Sequence, residues 1–393
     1  MEHDEYRRQL SAFDCIRPFE PEELPEAYGR LEQSEQFRSV IGYLYPQVPF
    51  EAIMQQMRQC KTCLDFQKAF CYPFLKQLMA KASTGFDIDT EAIDISRRYT
   101  FVSNHRDIVL DSALLDVLLL DAGAGTTTEI AIGDNLLAAP WIKDLVRINK
   151  SFIVERSLGM REMLAASKRM SEYMHFVIDA KHDNIWIAQR EGRAKDSDDR
   201  TQPSILKMMA MGRPLTASSQ GVGDSVVERL KALHIVPLAI SYEYDPCDFL
   251  KAREFQLKRD NPDWKKTKAD DVESMRTGIM GYKGRVHYHC APCIDDWLDT
   301  LPKDMPKGEL FDTIAAHIDS EIHRHYTIFA SNRVAAGADC TPEEKAAFNA
   351  YIDQQMAKIM LPQPDTDFLR ERMLTMYANP WRNNLTAKAE ASA

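Results

Sequence analysis

The chain has 393 residues, more than the roughly 250–300 that one hydrophobic core usually serves, so one large domain with added parts or two domains is expected. Hydrophobic residues make up 45% of the chain and charged residues 27%, which is typical of a soluble globular protein. The net charge of -10 disfavours broad binding to nucleic acid or to anionic lipid, since both require a positive surface.

Apolar runs are too short for a membrane span. None reaches the roughly 18 residues that such a span needs, and the amino-terminal stretch MEHDEYRRQL lacks the apolar segment of a signal peptide. These features predict a location on the cytoplasmic side of the membrane. The eight cysteines are then expected to be mostly reduced.

Residues 1–95 are predicted to form a helical amino-terminal region. Between Phe50 and Ala82 the apolar residues have the spacing of a helix, and Pro73 is expected to kink or interrupt it. This region is expected to extend the domain that follows.

Residues 96–298 are predicted to form an α/β domain, because short β-rich runs alternate with helical stretches. The predicted strands are Tyr99–Ser103, Glu129–Gly133, Phe152–Glu155, Ile185–Gln189, Ile235–Tyr242 and Val286–Ala291. The predicted helices include Ile108–Leu120, Pro140–Arg147, Met160–His175 and Pro203–Met211. The pattern indicates a mixed sheet flanked by helices, in which ligands bind at the carboxyl ends of the strands. Pro237, inside its strand, favours an edge position or a bulge.

Residues 299–393 are predicted to form a helical carboxyl-terminal region. Thr341, Pro342 and Glu344 supply an N-cap, a proline at the first helical position and a capping-box glutamate. The last eight residues, TAKAEASA, are predicted to form a frayed tail.

A histidine and several charges stand where the first predicted strand leads into a buried helix, in the stretch FVSNHRDIVLDSALLDVLLLDAG. Asp111 lies in an apolar helix, and a buried carboxylate needs a partner, for which His105 is the nearest candidate. Six residues of a regular helix rotate by about 600°, so the two meet only if His105 lies outside the helix. Such a pair orients an imidazole to take a proton from an alcohol. Alternatively, His105 caps the helix and Asp111 bonds a nearby backbone group.

Polar residues also follow two later strands, in KSFIVERS and IWIAQREGR. Arginines at strand ends suit a phosphate, because the guanidinium group binds it bidentately. Glu191 is expected to position Arg193 or to form a structural salt bridge, and Gly192 is expected to let the backbone approach a ligand closely. The candidate substrate-binding residues are Lys150, Arg156, Ser157, Glu191, Gly192 and Arg193.

Four blocks in this order, NHRDIVLD, SFIVERS, QREGRAK and IVPLAI, resemble those of the glycerophospholipid acyltransferase family, over about residues 98 to 242. The resemblance implies a glycerolphosphate acyltransferase-like fold and transfer of a fatty acyl group from acyl-CoA or acyl-carrier-protein to a glycerol-phosphate or lysophospholipid hydroxyl. It implies His105 as the base, no metal and no cofactor, and a lipid substrate met by peripheral association with the inner face of the membrane. The histidine and Asp111 are one residue further apart than in the family, so Asp107 remains a rival partner.

Two other classes of function stay open. Cys60 with Cys63, and Cys290 with Cys293, form two C-x-x-C pairs that together would suit a zinc or redox module. A homologue that binds lipid without turnover is the second alternative. No G-x-S-x-G motif of a serine hydrolase occurs.

Overall fold

A computed structural model describes residues 3–156, 158–215 and 225–392, so the candidate Ser157 lies outside the described residues. The described chain forms one seven-stranded sheet in the order β1-β7-β6-β2-β5-β3-β4, with helices packed on it. The predicted α/β class, a mixed sheet flanked by helices with helical extensions, is confirmed. The strands are β1 (Gly85–Asp89), β2 (Thr100–Ser103), β3 (Thr128–Gly133), β4 (Ser151–Val154), β5 (Asn184–Ala188), β6 (Ile235–Tyr242) and β7 (Arg285–Cys290).

Strand direction decides which loops share an edge of the sheet. Neighbouring strands among β2 to β6 pair in parallel, whereas β7 is antiparallel to β6 and parallel to β1. The carboxyl ends of β2 to β6 therefore meet at one edge. Strand β1 falls in the region predicted to be helical, and it joins the sheet beside β7.

The amino-terminal region is helical apart from β1. Its long predicted helix is divided: one helix ends at Gln59, Thr62 caps the next through the amide of Asp65, and a π-helical turn follows. Pro73 lies in the first turn of the last helix, directly after this π-helical turn. These helices are α1 (His3–Ser11), α2 (Leu24–Glu32), α3 (Glu35–Leu44), α4 (Phe50–Gln59), α5 (Cys63–Phe66) and α6 (Tyr72–Ala82).

Helices connect the strands as the alternation predicts, with ends close to the predicted ones. Two of them lie between β6 and β7, a connection in which no helix was predicted. The helices are α7 (Leu110–Asp121), α8 (Pro140–Ile148), α9 (Met160–Phe176), α10 (Pro203–Met209), α11 (Val226–Lys231), α12 (Asp248–Asp260) and α13 (Lys268–Met280).

The carboxyl-terminal region is helical, as predicted. Thr341 and Glu344 form the expected capping box. The predicted frayed tail is wrong, because the last helix continues to Ala391 and buries Ala387. Helix α14 (Asp295–Leu298) follows β7 at the end of the α/β region, and the carboxyl-terminal helices are α15 (Lys307–Arg324), α16 (Ala330–Ala336), α17 (Pro342–Met356) and α18 (Thr366–Ala391).

Apolar cores cover both faces of the sheet. Successive residues of a strand point to opposite faces, so Phe101 packs with α7 in one core while Val102 packs with α9 and α15 in the other. Helix α7 is buried on nearly all sides, Asp111 included. No helix in the described ranges has both the length and the apolar character needed to cross a membrane.

Pro237 does not lie in an edge strand, so the edge alternative of that expectation is wrong. Strand β6 is paired on both sides, with Pro237 opposite Val102 of β2. The carbonyl of Pro237 accepts the amide of Ala291, and the β6–β7 ladder begins only at the next residue, Leu238. The missing N–H of the proline thus falls where that ladder ends, which is why an interior strand tolerates it.

Candidate active site

His105 stands just past the carboxyl end of β2. Between them, the side chain of Asn104 both donates to the carbonyl of Ile240 at 2.9 Å and accepts from its amide at 2.8 Å. These two bonds imitate a ladder pair and hold the end of β2 against β6. His105 is therefore presented from a fixed backbone at the shared edge of the sheet.

Asp111 and His105 are in contact. The Nδ1 atom of His105 lies 2.8 Å from Oδ2 of Asp111, a side chain with 0% exposure. The same oxygen accepts the amides of Arg106 at 2.6 Å and of Asp107 at 3.0 Å. The segment before α7 thus wraps around the carboxylate, and His105 lies outside the helix as the rotation argument requires.

Asp111 holds Nδ1 of the imidazole, and Nε2 remains available to a substrate. When Asp111 is ionised its carboxylate can only accept, so a neutral His105 donates from Nδ1 and carries its lone pair on Nε2. No residue in the described part of the chain hydrogen-bonds Nε2, and the side chain is 13% exposed. The ring meets Trp186 edge-on with centroids 5.7 Å apart. This arrangement suits a general base.

Asp107 has a different task. Its Oδ1 accepts the amides of Val109 at 2.9 Å and Leu110 at 2.8 Å, which makes it the cap of α7. Burial, together with the nearby charge of Asp111, raises the pKa of Asp107 above its ordinary value. Helix α13 also presses on it, since a Cβ at Gly278 would overlap its carboxylate. Among the described residues, no hydrogen bond or ion pair links Asp107 to the imidazole.

Arg106 connects this site to the carboxyl-terminal region, a link that the sequence did not reveal. Its Nη2 lies 2.8 Å from Oδ2 of Asp199, and both side chains are buried. The hydroxyl of Tyr326 donates to the same oxygen at 2.7 Å, and the ring of His323 donates to the Asp199 carbonyl at 2.8 Å. The residue after His105 is thereby tied to the loop after β5 and to the end of α15.

Arg156 follows β4 at the same edge but at a distance. Three strand spacings of the sheet order separate β4 from β2, about 14 Å at the usual spacing. The side chain of Arg156 is 36% exposed, with Nη1 3.4 Å from Oε1 of the exposed Glu191. The structure therefore brings Arg156 and Glu191 together as a surface pair.

Arg193 turns to the other side of β2. Its guanidinium lies beside Cys247, in the segment that follows β6. Burial disfavours its charged form, but Cys247, Asp107 and Asp245 raise the pKa of Arg193 above its ordinary value. Its Nη1 is buried without a hydrogen-bond partner in the described ranges. The two arginines predicted to face one cleft thus lie toward different parts of the sheet, Arg193 beside the segment after β6 and Arg156 after β4.

The remaining candidates are not gathered around His105. Lys150 precedes β4, at the opposite edge of the sheet, where its Nζ pairs with Asp183 at 2.8 Å and contacts Thr126 at 3.0 Å. It is therefore a buried structural cation. Gly192 is exposed and has a φ of 67°, a backbone conformation that favours glycine, and no atom of the described residues lies within 4 Å of its Cβ position.

The two C-x-x-C pairs do not form one site. Cys60 and Cys63 belong to the core of the amino-terminal helices, whereas Cys290 lies in the sheet core around α7. The zinc or redox module built from both pairs is therefore not supported by the structure.

The site is a partly exposed histidine held by a buried carboxylate at the carboxyl edge of a mixed α/β sheet. No protein-family model and no curated protein matches the chain. Among solved structures, it is similar to the crystal structure of the 1-acyl-sn-glycerophosphate (LPA) acyltransferase PlsC from Thermotoga maritima, with 12% identity and a TM-score of 0.34. The match covers 75% of this chain and 91% of that chain. This is a distant likeness in fold, and the function below is inferred from the residues of this chain.

Proposed function

We propose that the protein is an acyltransferase that moves a fatty acyl group from an acyl thioester to a hydroxyl group, with His105 as the general base. The observation that carries this proposal is the imidazole held at Nδ1 by buried Asp111, with Nε2 left for a substrate. The four blocks that resemble the glycerophospholipid acyltransferases support the same reaction. Two of the blocks contribute His105 and Arg193 to one edge of the sheet.

The reaction follows from the protonation state of the pair. Neutral His105 takes the proton of the acceptor hydroxyl on Nε2, while Asp111 stabilises the imidazolium that forms. The acceptor oxygen attacks the thioester carbonyl and forms the ester bond as the carbon–sulfur bond breaks. His105 then returns the proton to the leaving thiolate, so the base is regenerated and no covalent enzyme intermediate is needed.

We propose acyl-CoA or acyl-carrier-protein as the donor and a glycerol-phosphate or lysophospholipid as the acceptor. Arg193 and Arg156 are the two candidates for binding the acceptor's phosphate, with Glu191 and Gly192 shaping the approach to Arg156. Lipid substrates would bring the chain to a membrane surface, and we propose peripheral association at the inner face.

A matrix of donors and acceptors tests the activity. Purified protein would be incubated with acyl-CoA or acyl-carrier-protein and with glycerol 3-phosphate, lysophosphatidate or unphosphorylated alcohols, and thiol release would be measured. We expect release that depends on a phosphorylated acceptor. Binding of these lipids without acceptor-dependent thiol release would indicate the alternative, a lipid-binding homologue.

Replacing Asp107 or Asp111 with asparagine tests which of the two aspartates orients His105. Asp111→Asn should lower kcat by about 10- to 150-fold, because a charge-assisted hydrogen bond is worth roughly 1.5–3 kcal/mol. Asp107→Asn should leave kcat nearly unchanged, because asparagine caps a helix as well as aspartate does. Steady-state rates of both variants give the comparison, and a crippled Asp107→Asn beside a mild Asp111→Asn would reverse the assignment.

Removing either arginine should weaken use of the phosphorylated acceptor. Arg193→Ala and Arg156→Ala should each lower kcat/KM for that acceptor by about 10- to 150-fold, the equivalent of one charged hydrogen bond. Lysine at either position should restore only part of this kcat/KM, because it keeps the charge but lacks the planar guanidinium group that binds phosphate through two hydrogen bonds. Arg200→Ala is the matched control, since Arg200 lies in the loop after β5 but pairs with exposed Asp198.

Separate titration of the two substrates decides the outcome. The expected loss appears in kcat/KM for the phosphorylated acceptor and is far smaller in KM for the acyl donor. If the arginine variants affect only the donor, or if neutral alcohols serve as well as phosphorylated ones, neither arginine contacts an acceptor phosphate.

A further inference from the structure

Three metal-ligating side chains meet at the amino edge of the sheet, opposite His105. His234 precedes β6, and Cys293 and Asp295 follow β7. One ligand atom from each, a ring nitrogen, a thiol sulfur and a carboxylate oxygen, lies within 4.8 Å of the other two. In the described part of the chain, this group is the one with such geometry among histidine, cysteine and acidic residues.

The backbone around the three side chains is fixed on both sides. His234 has a φ of 47° and lies between Leu233 and Ile235, which are fully buried. Ile294, between Cys293 and Asp295, is 1% exposed, and its amide donates to the carbonyl of Ile235 at 3.0 Å. The ligand atoms are thus presented by two segments that are bonded to each other, so little ordering remains for a bound ion to impose.

The donor set fits a borderline-soft divalent cation. Nitrogen, sulfur and oxygen ligands are those of zinc, and its bonds of roughly 2.0–2.3 Å place tetrahedral ligand atoms about 3.3–3.8 Å apart. Nδ1 of His234 lies 2.6 Å from Oδ2 of Asp295, so an ion entering here replaces this hydrogen bond after a small opening. The other oxygen of Asp295 is buried and has no hydrogen-bond partner in the described ranges. A thiolate and a carboxylate together balance the charge of the ion.

We propose that His234, Cys293 and Asp295 form a zinc site, with water as the fourth ligand. The site takes one cysteine of the second C-x-x-C pair and leaves Cys290 in the core. Binding releases the thiol proton of Cys293, while His234 binds as a neutral imidazole. The ion would link the start of β6 to the segment that leaves β7, at the edge of the sheet opposite His105, so it takes no part in the proposed acyl transfer.

Cobalt reports directly on the ligands. Purified full-length protein would be stripped with a chelator and titrated with Co²⁺, following the near-ultraviolet thiolate-to-cobalt charge-transfer band. We expect one equivalent of Co²⁺ to develop this band in the wild type and in Cys15→Ser, a control that removes an exposed cysteine. The band should be absent in Cys293→Ser. His234→Asn, which tolerates the left-handed backbone, should bind Co²⁺ at least about 10-fold more weakly.

Thermal unfolding is a second measurement, which shows whether each variant is folded. Zn²⁺ should raise the unfolding midpoint of the wild type and of Cys15→Ser in a concentration-dependent way, and should leave the midpoint of Cys293→Ser unchanged. The proposal is overturned if the wild type shows no charge-transfer band, or if folded Cys293→Ser retains both the band and the zinc-dependent midpoint.

Discussion

Replacing His105 with alanine should lower kcat by about 100- to 10,000-fold, the usual contribution of a general base. Nε2 of this imidazole makes no hydrogen bond to a described residue, and Asp111 lies 2.8 Å from its other nitrogen. Without the ring, the acceptor hydroxyl keeps its proton while it attacks the thioester. The measurement is steady-state thiol release at saturating concentrations of both substrates.

His182→Asn is the control for this variant. His182 is an exposed histidine in the left-handed backbone region, which asparagine also adopts, and it lies before β5 at the other edge of the sheet. We expect near wild-type turnover from it. A folded His105→Ala protein with near wild-type turnover would remove His105 from the mechanism.

Removing the Asp199 carboxylate should strongly lower the free energy of unfolding. Asp199→Ala leaves the buried guanidinium of Arg106 without its 2.8 Å partner and removes the acceptor of the Tyr326 hydroxyl. Breaking a buried ion pair from one side costs about 3–5 kcal/mol. Urea unfolding, analysed for the free energy of unfolding, checks this expectation. Activity should fall as well, since Arg106 adjoins His105.

Asp198→Ala, one residue away, is the matched control. Asp198 pairs with Arg200 at 3.0 Å, but the two side chains are 44% and 58% exposed. Such a surface pair contributes at most about 1 kcal/mol. Equal small losses in the two variants would show that the network of Arg106, Asp199 and Tyr326 does not stabilise the fold.

The alternation of strands and helices made most of the sheet predictable, whereas β1 was missed for a physical reason. Its five residues, GFDID, place only Phe86 and Ile88 on the core face. Asp87 and Asp89 lie on the other face, opposite the histidines of β7. A short edge strand with two apolar residues has too little period-two pattern to separate it from the helical surroundings.

The contact of His105 with Asp111 could be predicted from the sequence, because a buried carboxylate needs a partner. His105 can be that partner only if the segment before α7 is not helical. The pairing of Arg106 with Asp199 and Tyr326 was not, since those residues come from distant segments. Strand order was equally hidden, so the sequence did not reveal that β5 and β3 separate Arg156 from His105. Lys150 stands at the start of its strand, and that position alone could have excluded it from the carboxyl edge.

Formation of the ester product tests the central claim most directly. Purified wild type and His105→Ala would be incubated with an isotopically labelled acyl thioester and a phosphorylated glycerol or lysolipid acceptor. The products would be identified and quantified by mass spectrometry. The account predicts that the wild type transfers the label to an ester, with one thiol released per ester, and that His105→Ala forms almost none. No labelled ester from the wild type, or equal ester from both proteins, would contradict it.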